Sequence, residues 1–182
     1  MTTVIPVAHR SDETRTLELL GIASIAFFVP FLLGGPQLLV GTVVNGALIY
    51  AALRGRWTRL LPIVLLPSIA VLSRGMIFGG LTPFLVVLMP YIWLSNVILV
   101  SGIRFCSFGR CPAAVAVIAS CAFKVAFLYT SASLLAQNGL IPEAMVHAMG
   151  TVQFITALAG AGLVGLGAAI SPTIRSASRQ AR

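Results

Sequence analysis

Six apolar runs, each close to the length a helix needs to cross a bilayer, divide this chain almost from end to end. They fall near residues 17–33, 36–53, 60–78, 83–103, 113–135 and 145–170. An α-helix needs roughly 20 such residues to span the hydrocarbon core. Backbone groups in lipid have no water to bond, so a lipid-facing segment must close its own hydrogen bonds. A soluble domain carries about 25% charged residues; here the figure is 9% of 182 residues, against 58% hydrophobic. The expected fold is all-α, an integral membrane bundle of six transmembrane helices. The connection 33–37 is so short that its flanking helices must form a tight hairpin, unless the segment dips into the membrane against protein.

Arginines mark every second connection. Arg10 and Arg15 precede the first run, Arg54, Arg56 and Arg59 separate the second from the third, and Arg104 and Arg110 separate the fourth from the fifth. Arg175, Arg179 and Arg182 follow the sixth, whereas 34–37, 79–82 and 136–144 contain no Lys or Arg. The positive-inside rule then predicts cytoplasmic N- and C-termini for a multi-pass protein of the inner (plasma) membrane. The organisation read from this pattern is a cytoplasmic tail over 1–16, a membrane domain over 17–171 and a basic tail over 172–182. The tail 1–16 is polar, with Asp12 and Glu13, and lacks the pattern of a cleavable signal. The net charge of +8 is spread over these connections rather than gathered on one basic face, which argues against a nucleic-acid partner.

Signatures of catalysis and cofactors are missing from the pattern. Cys106, Cys111 and Cys121 lack the spacing of a zinc or iron–sulfur site and read as unpaired thiols near a reducing cytoplasm. Phosphate-binding loops, nucleophile–base pairs and zinc-protease motifs are absent. The expectation is a protein that is not an enzyme, with no catalytic residue, no metal and no cofactor.

Polar residues inside the apolar runs carry the functional signal. Lys124 lies near the middle of the fifth run, where a charged lysine costs about 2.5–3.5 kcal/mol on insertion scales. None of the four acids falls within a run. A carrier driven by protons or sodium ions usually titrates or coordinates through an intramembrane carboxylate, and none is available here. Buried cations without buried anions need another partner: water, carbonyls or an anionic ligand. The candidate substrate-binding residues are Lys124, Arg74, Asn96, Tyr129, His147 and Asn45, facing an outward-opening cavity. Arg74 can equally snorkel or pair with Glu143, and Lys124 can be a structural lysine capped by carbonyls or hydroxyls.

Two helix faces read as packing seams. Gln37, Gly41 and Asn45 share one face, with lining of a pocket as the other reading; Ala157, Ala161, Gly165 and Ala169 form a small-residue stripe in the last run. Pro67 and Pro90 fall well inside their runs, where kinks are expected.

The segments Gly34-Gly35-Pro36-Gln37, Gly41-Thr42-Val43-Val44-Asn45, Leu66-Pro67-Ser68 and Pro90-Tyr91-Ile92-Trp93-Leu94-Ser95-Asn96 give the chain a likeness over about 34–124. With its six apolar runs it resembles the small S components of energy-coupling-factor importers. The resemblance implies a substrate-binding membrane subunit that captures a micronutrient, such as a vitamin, from outside. It further implies a transmembrane coupling subunit and cytoplasmic ATPases as partners. On the first run, Gly21, Ala23, Ser24 and Ala26 depart from the alanine pair four apart by which S components dock. The alternatives are a membrane anchor or assembly subunit of a larger complex and a small self-sufficient carrier.

Overall fold

The structure, a computed structural model, describes residues 12–33, 36–54, 57–74, 79–107 and 112–180. These form α1 (Asp12–Leu33), α2 (Gln37–Arg54), α3 (Trp57–Arg74), a 3-10 turn (Gly79–Phe84), α4 (Leu85–Ser107) and α5 (Ala113–Gln137). A short α6 (Glu143–His147) runs through a π-helical turn (Ala148–Val152) into α7 (Gln153–Gln180), making one continuous rod. The chain is all-α among the described residues, with six long helical rods. Connections 34–35, 55–56, 75–78 and 108–111, with Arg56, Arg110 and Cys111, lie outside the described residues, as do 1–11 and 181–182.

Five stretches are long and apolar enough to cross a membrane: Thr16–Leu33, Gln37–Arg54, Leu85–Phe105, Ala113–Gln137 and Glu143–Ala169. Helix α3 is not among them. It is bounded by Arg59 near one end and Arg74 at the other, and the expected extension to residue 78 lies outside the described residues. The outer helices also run further than expected. α1 begins at Asp12, and α7 continues to Gln180 past Pro172, so helix enters both of the stretches read as tails.

Adjacent residues show which way the bundle is turned. Phe123 is 70% exposed, while its neighbour Lys124 is 2% exposed. Leu17, Leu32, Leu61 and Leu166 are exposed large apolar side chains, and Asn45, Ser95, Asn96 and Thr156 are buried. Apolar surface facing outward is unfavourable in water by roughly 25 cal/mol per Å² and costs nothing in hydrocarbon. The lysine stays inside because the outer face of α5 is the lipid-compatible one.

The main packing pairs are α2 with α7, α4 with α5, and α1 with α3. The backbones of α2 and α7 approach closely where the two helices cross. A Cβ built on Gly160 would lie 2.6 Å from the Gly46 nitrogen and 2.9 Å from the Thr42 carbonyl oxygen. Gly41 sits against the Thr156 side chain in the same way. Of the face Gln37, Gly41 and Asn45, the last two thus meet Thr156 of α7, and all three line a pocket. The expected stripe on α7 divides: Ala157 is buried and Ala161 packs against the core, whereas Gly165 and Ala169 are exposed.

Two apolar clusters fill the interior. One, at the arginine-bearing end, joins Leu48, Ile49, Leu60, Ile63, Leu99, Ile103 and Val117. The other, at the opposite end, joins Leu88, Leu128, Leu135, Ile141, Met145 and Met149. α5 ends in a Schellman turn, with Gly139 at φ 70° and Leu140 N–H bonded to the Leu135 carbonyl. That turn sends Ile141 and Met145 back into the second cluster.

Candidate functional site

Polar side chains from four helices form a layer between the two apolar clusters. On α2, Asn45 lies beside the run Ala47–Ala52 of the first cluster; on α4, Asn96 falls between Leu88 and Leu99. On α5, Lys124 falls between Cys121 and Leu128; on α7, Gln153 and Thr156 fall between Met149 and Ala157. The register of each helix puts its polar residue at the same depth, near the middle of the bundle.

These residues are wired together. The Lys124 ammonium donates to Asn45 Oδ1 at 2.5 Å. Asn45 Nδ2 donates to Thr156 Oγ1 at 3.0 Å, and that hydroxyl donates to the Gln153 backbone carbonyl at 3.1 Å. Donors run in one direction, so each bond polarises the next. An ammonium has three N–H donors; among the described residues Asn45 is the hydrogen-bond partner of Lys124. Asn96 Nδ2 donates to the Val64 carbonyl at 3.2 Å, beside the Ile63 carbonyl that Pro67 deprives of its helical partner. α3 runs uninterrupted through Pro67, and α4 through Pro90.

A cavity of about 80 Å³ adjoins this layer, with Lys124, Asn45, Asn96, Gln153, Gln37 and Ser68 among its lining. Its apolar wall includes Val40, Val71, Leu85, Ile92 and Met149. Gln37, Leu85 and Met149 belong to the helix ends remote from the arginine-bearing connections, so the cavity runs from mid-bundle toward the arginine-poor end. A water needs roughly 10–15 Å³ of such space, so the cavity has room for several waters. The buried Oε1 of Gln153 has no hydrogen-bond partner. Gln153 directly follows the π-helical turn, a feature often found at functional positions.

Of the six residues singled out from sequence, the structure brings Lys124, Asn45 and Asn96 together on this cavity. The other three lie elsewhere. Arg74 donates to the carbonyls of Phe31 at 2.5 Å and Leu32 at 2.7 Å, capping the end of α1 where its unpaired carbonyls and negative dipole end favour a cation. Tyr129 is 51% exposed and its ring edge covers Gly150 in the π turn; a Cβ there would lie 2.7 Å from the ring. His147 is exposed at the end of α6. None of the three is among the residues that line this cavity. Thr156 joins the network although it was not singled out: a threonine in a helix usually bonds its own preceding turn, and this one does so while also accepting from Asn45.

The Arg74 cap makes a separable prediction. Arg74→Ala is expected to lower stability in a thermal melt of the purified protein by about 1–3 kcal/mol.

No group of three or more His, Cys, Asp or Glu among the described residues is placed to hold a metal ion. Cys121 is a buried free thiol facing the Ala157 carbonyl at 3.9 Å. No protein-family model, curated protein or solved structure matches the chain.

Proposed function

We propose that this chain is a six-pass protein of the inner (plasma) membrane that binds a small polar solute for uptake and has no catalysis of its own. In this reading α3 is the sixth crossing, and the arginine-bearing connections and both termini face the cytoplasm. The carrying observation is the buried Lys124, held by one amide oxygen, on a cavity that runs toward the arginine-poor end. A buried cation costs several kcal/mol unless something polar meets it. Packing alone gives no reason to place a lysine there when a methionine would fill the same volume.

Solute enters from the outer face and displaces cavity water. It is held at the mid-bundle layer while the apolar cluster around Leu48, Ile63, Leu99 and Ile103 closes the path to the cytoplasmic side. Release inward requires that cluster to open. That division of labour is the one the S-component resemblance implies, with a coupling subunit and ATPases supplying the opening. Anchoring of a larger complex, the second reading, draws on α7, where Gly162, Gly165 and Gly167 face open space. Uptake into proteoliposomes without an ATPase would instead identify a self-sufficient carrier.

The test is access. With Cys106, Cys111 and Cys121 replaced by serine, a cysteine at Val71 is expected to react with a membrane-impermeant thiol reagent applied outside, and one at Ile63 is expected to stay unlabelled. Labelling of neither, or labelling of Val71→Cys only from the cytoplasmic side, removes the outward-facing site.

A further inference from the structure

Resting on the reading of this cavity as a solute site, we infer that the solute is an anion and that Lys124 is the residue that selects for its negative charge. The middle of the bundle carries a positive charge that the chain itself does not offset. Lys124 is 2% exposed, and none of the residues lining the cavity is an aspartate or a glutamate. The acids of the described helices lie at the ends of the bundle instead. Asp12 and Glu13 begin α1, Glu18 is bonded to Tyr50 at the arginine-bearing end, and Glu143 opens α6 at the other end.

Asn45 meets the ammonium with an amide oxygen, which takes one of its three N–H donors and brings no formal charge. Thr156 gives its hydroxyl proton to the Gln153 carbonyl and so accepts from Asn45, which turns Asn45 Oδ1 toward the lysine and holds the ammonium in place beside the cavity. A buried ion without a counter-ion is costly. An anion in the cavity removes that cost and receives charge-assisted hydrogen bonds from the two remaining N–H groups. A neutral solute would leave the charge unmatched, and a cation would be repelled. Elsewhere on the lining, Ser68, Asn96 and Gln37 end in a hydroxyl or amides that serve as donor or acceptor alike. They suit a solute of any charge and leave the selection to Lys124.

The test reads charge at the site with reagents that carry it. The full chain, with Cys106, Cys111 and Cys121 replaced by serine and Val71→Cys introduced in the cavity wall, is placed in phosphatidylcholine nanodiscs. Two methanethiosulfonate reagents of similar size are compared, the anionic ethylsulfonate and the cationic ethyltrimethylammonium. Each labelling rate is divided by the rate of the same reagent with 2-mercaptoethanol. The anionic reagent is expected to be favoured about 10–100-fold, as in clefts lined by one sign of charge. Arg74, three residues from Val71, is also positive, so the assignment rests on changing Lys124. Lys124→Met is expected to lower the preference about 10-fold. The double variant Asn45→Leu/Lys124→Met, which leaves neither partner orphaned, should lower it equally and guards against a fold lost in the single variant.

Equal normalised rates in the parent, a preference for the cation, or a preference that survives both changes at Lys124 overturns the assignment. The two levels of the reading fail differently. If both reagents label Val71→Cys without preference, the anion assignment fails and the solute site stands. If neither labels it, both fail.

Discussion

Gly160→Val is expected to unseat α7 from α2 and to cost about 3 kcal/mol, the upper part of the range for overpacking a tight interior. The reason is what the new Cβ would meet. Its neighbours are backbone atoms, Gly46 nitrogen at 2.6 Å and the Thr42 carbonyl oxygen at 2.9 Å, rather than the far end of a side chain that could swing away. Relief therefore requires two helices to separate along one of the two most extensive helix contacts among the described residues. Separation also pulls Thr156, one turn from Gly160, away from Asn45, so loss of solute binding should accompany loss of stability. The control lies two residues along the same helix: a Cβ on Gly162 meets nothing within 4 Å, and Gly162→Val should shift the melting transition by no more than about 0.5 kcal/mol, as surface substitutions usually do. Thermal or denaturant unfolding of the purified variants distinguishes them. Equal effects at the two positions would mean that α2 and α7 do not cross at Gly46 and Gly160.

That pair of glycines also marks how far the sequence could be read. The tilt of α7 toward small residues was legible, and so was its role as a packing helix. The register was not: Ala157, Gly160, Gly162, Gly165 and Ala169 look alike until a partner helix selects a face, and it selected Ala157 and Gly160. The same limit governs the candidate site. Lys124, Asn45 and Asn96 stand out because any polar group in an apolar run must be satisfied by something. Their pairing depends on how α2 and α5 rotate against each other across 79 residues of chain, which no local pattern encodes. Arg74, Tyr129 and His147 stand out for the same reason, yet helix rotation puts Arg74 against the end of α1 and the other two on exposed faces.

Asn45→Leu should be among the most destabilising single changes at the site, at about 3 kcal/mol. Asn45 is a neutral amide, so what is lost is a hydrogen bond to a buried ammonium, worth about 1.5–3 kcal/mol, and the upper end applies because the change leaves the charge unmet. Lys124→Met should be milder, about 1–3 kcal/mol: it strands Asn45 Oδ1 as a bare acceptor, yet it also removes the ion whose desolvation opposed folding. The double variant Asn45→Leu/Lys124→Met leaves neither an orphaned charge nor an orphaned acceptor between them, and Thr156 keeps its bond to the Gln153 carbonyl. Its stability should return to within about 1 kcal/mol of the parent, so the two changes are strongly non-additive in a double-mutant cycle. Additive losses would show that Lys124 does not rest on Asn45. Solute binding separates architecture from function in the same set of proteins: the double variant should fold like the parent and bind nothing. A bundle that keeps its stability without the lysine would have no structural use for it, which is the outcome the proposed solute-binding role requires.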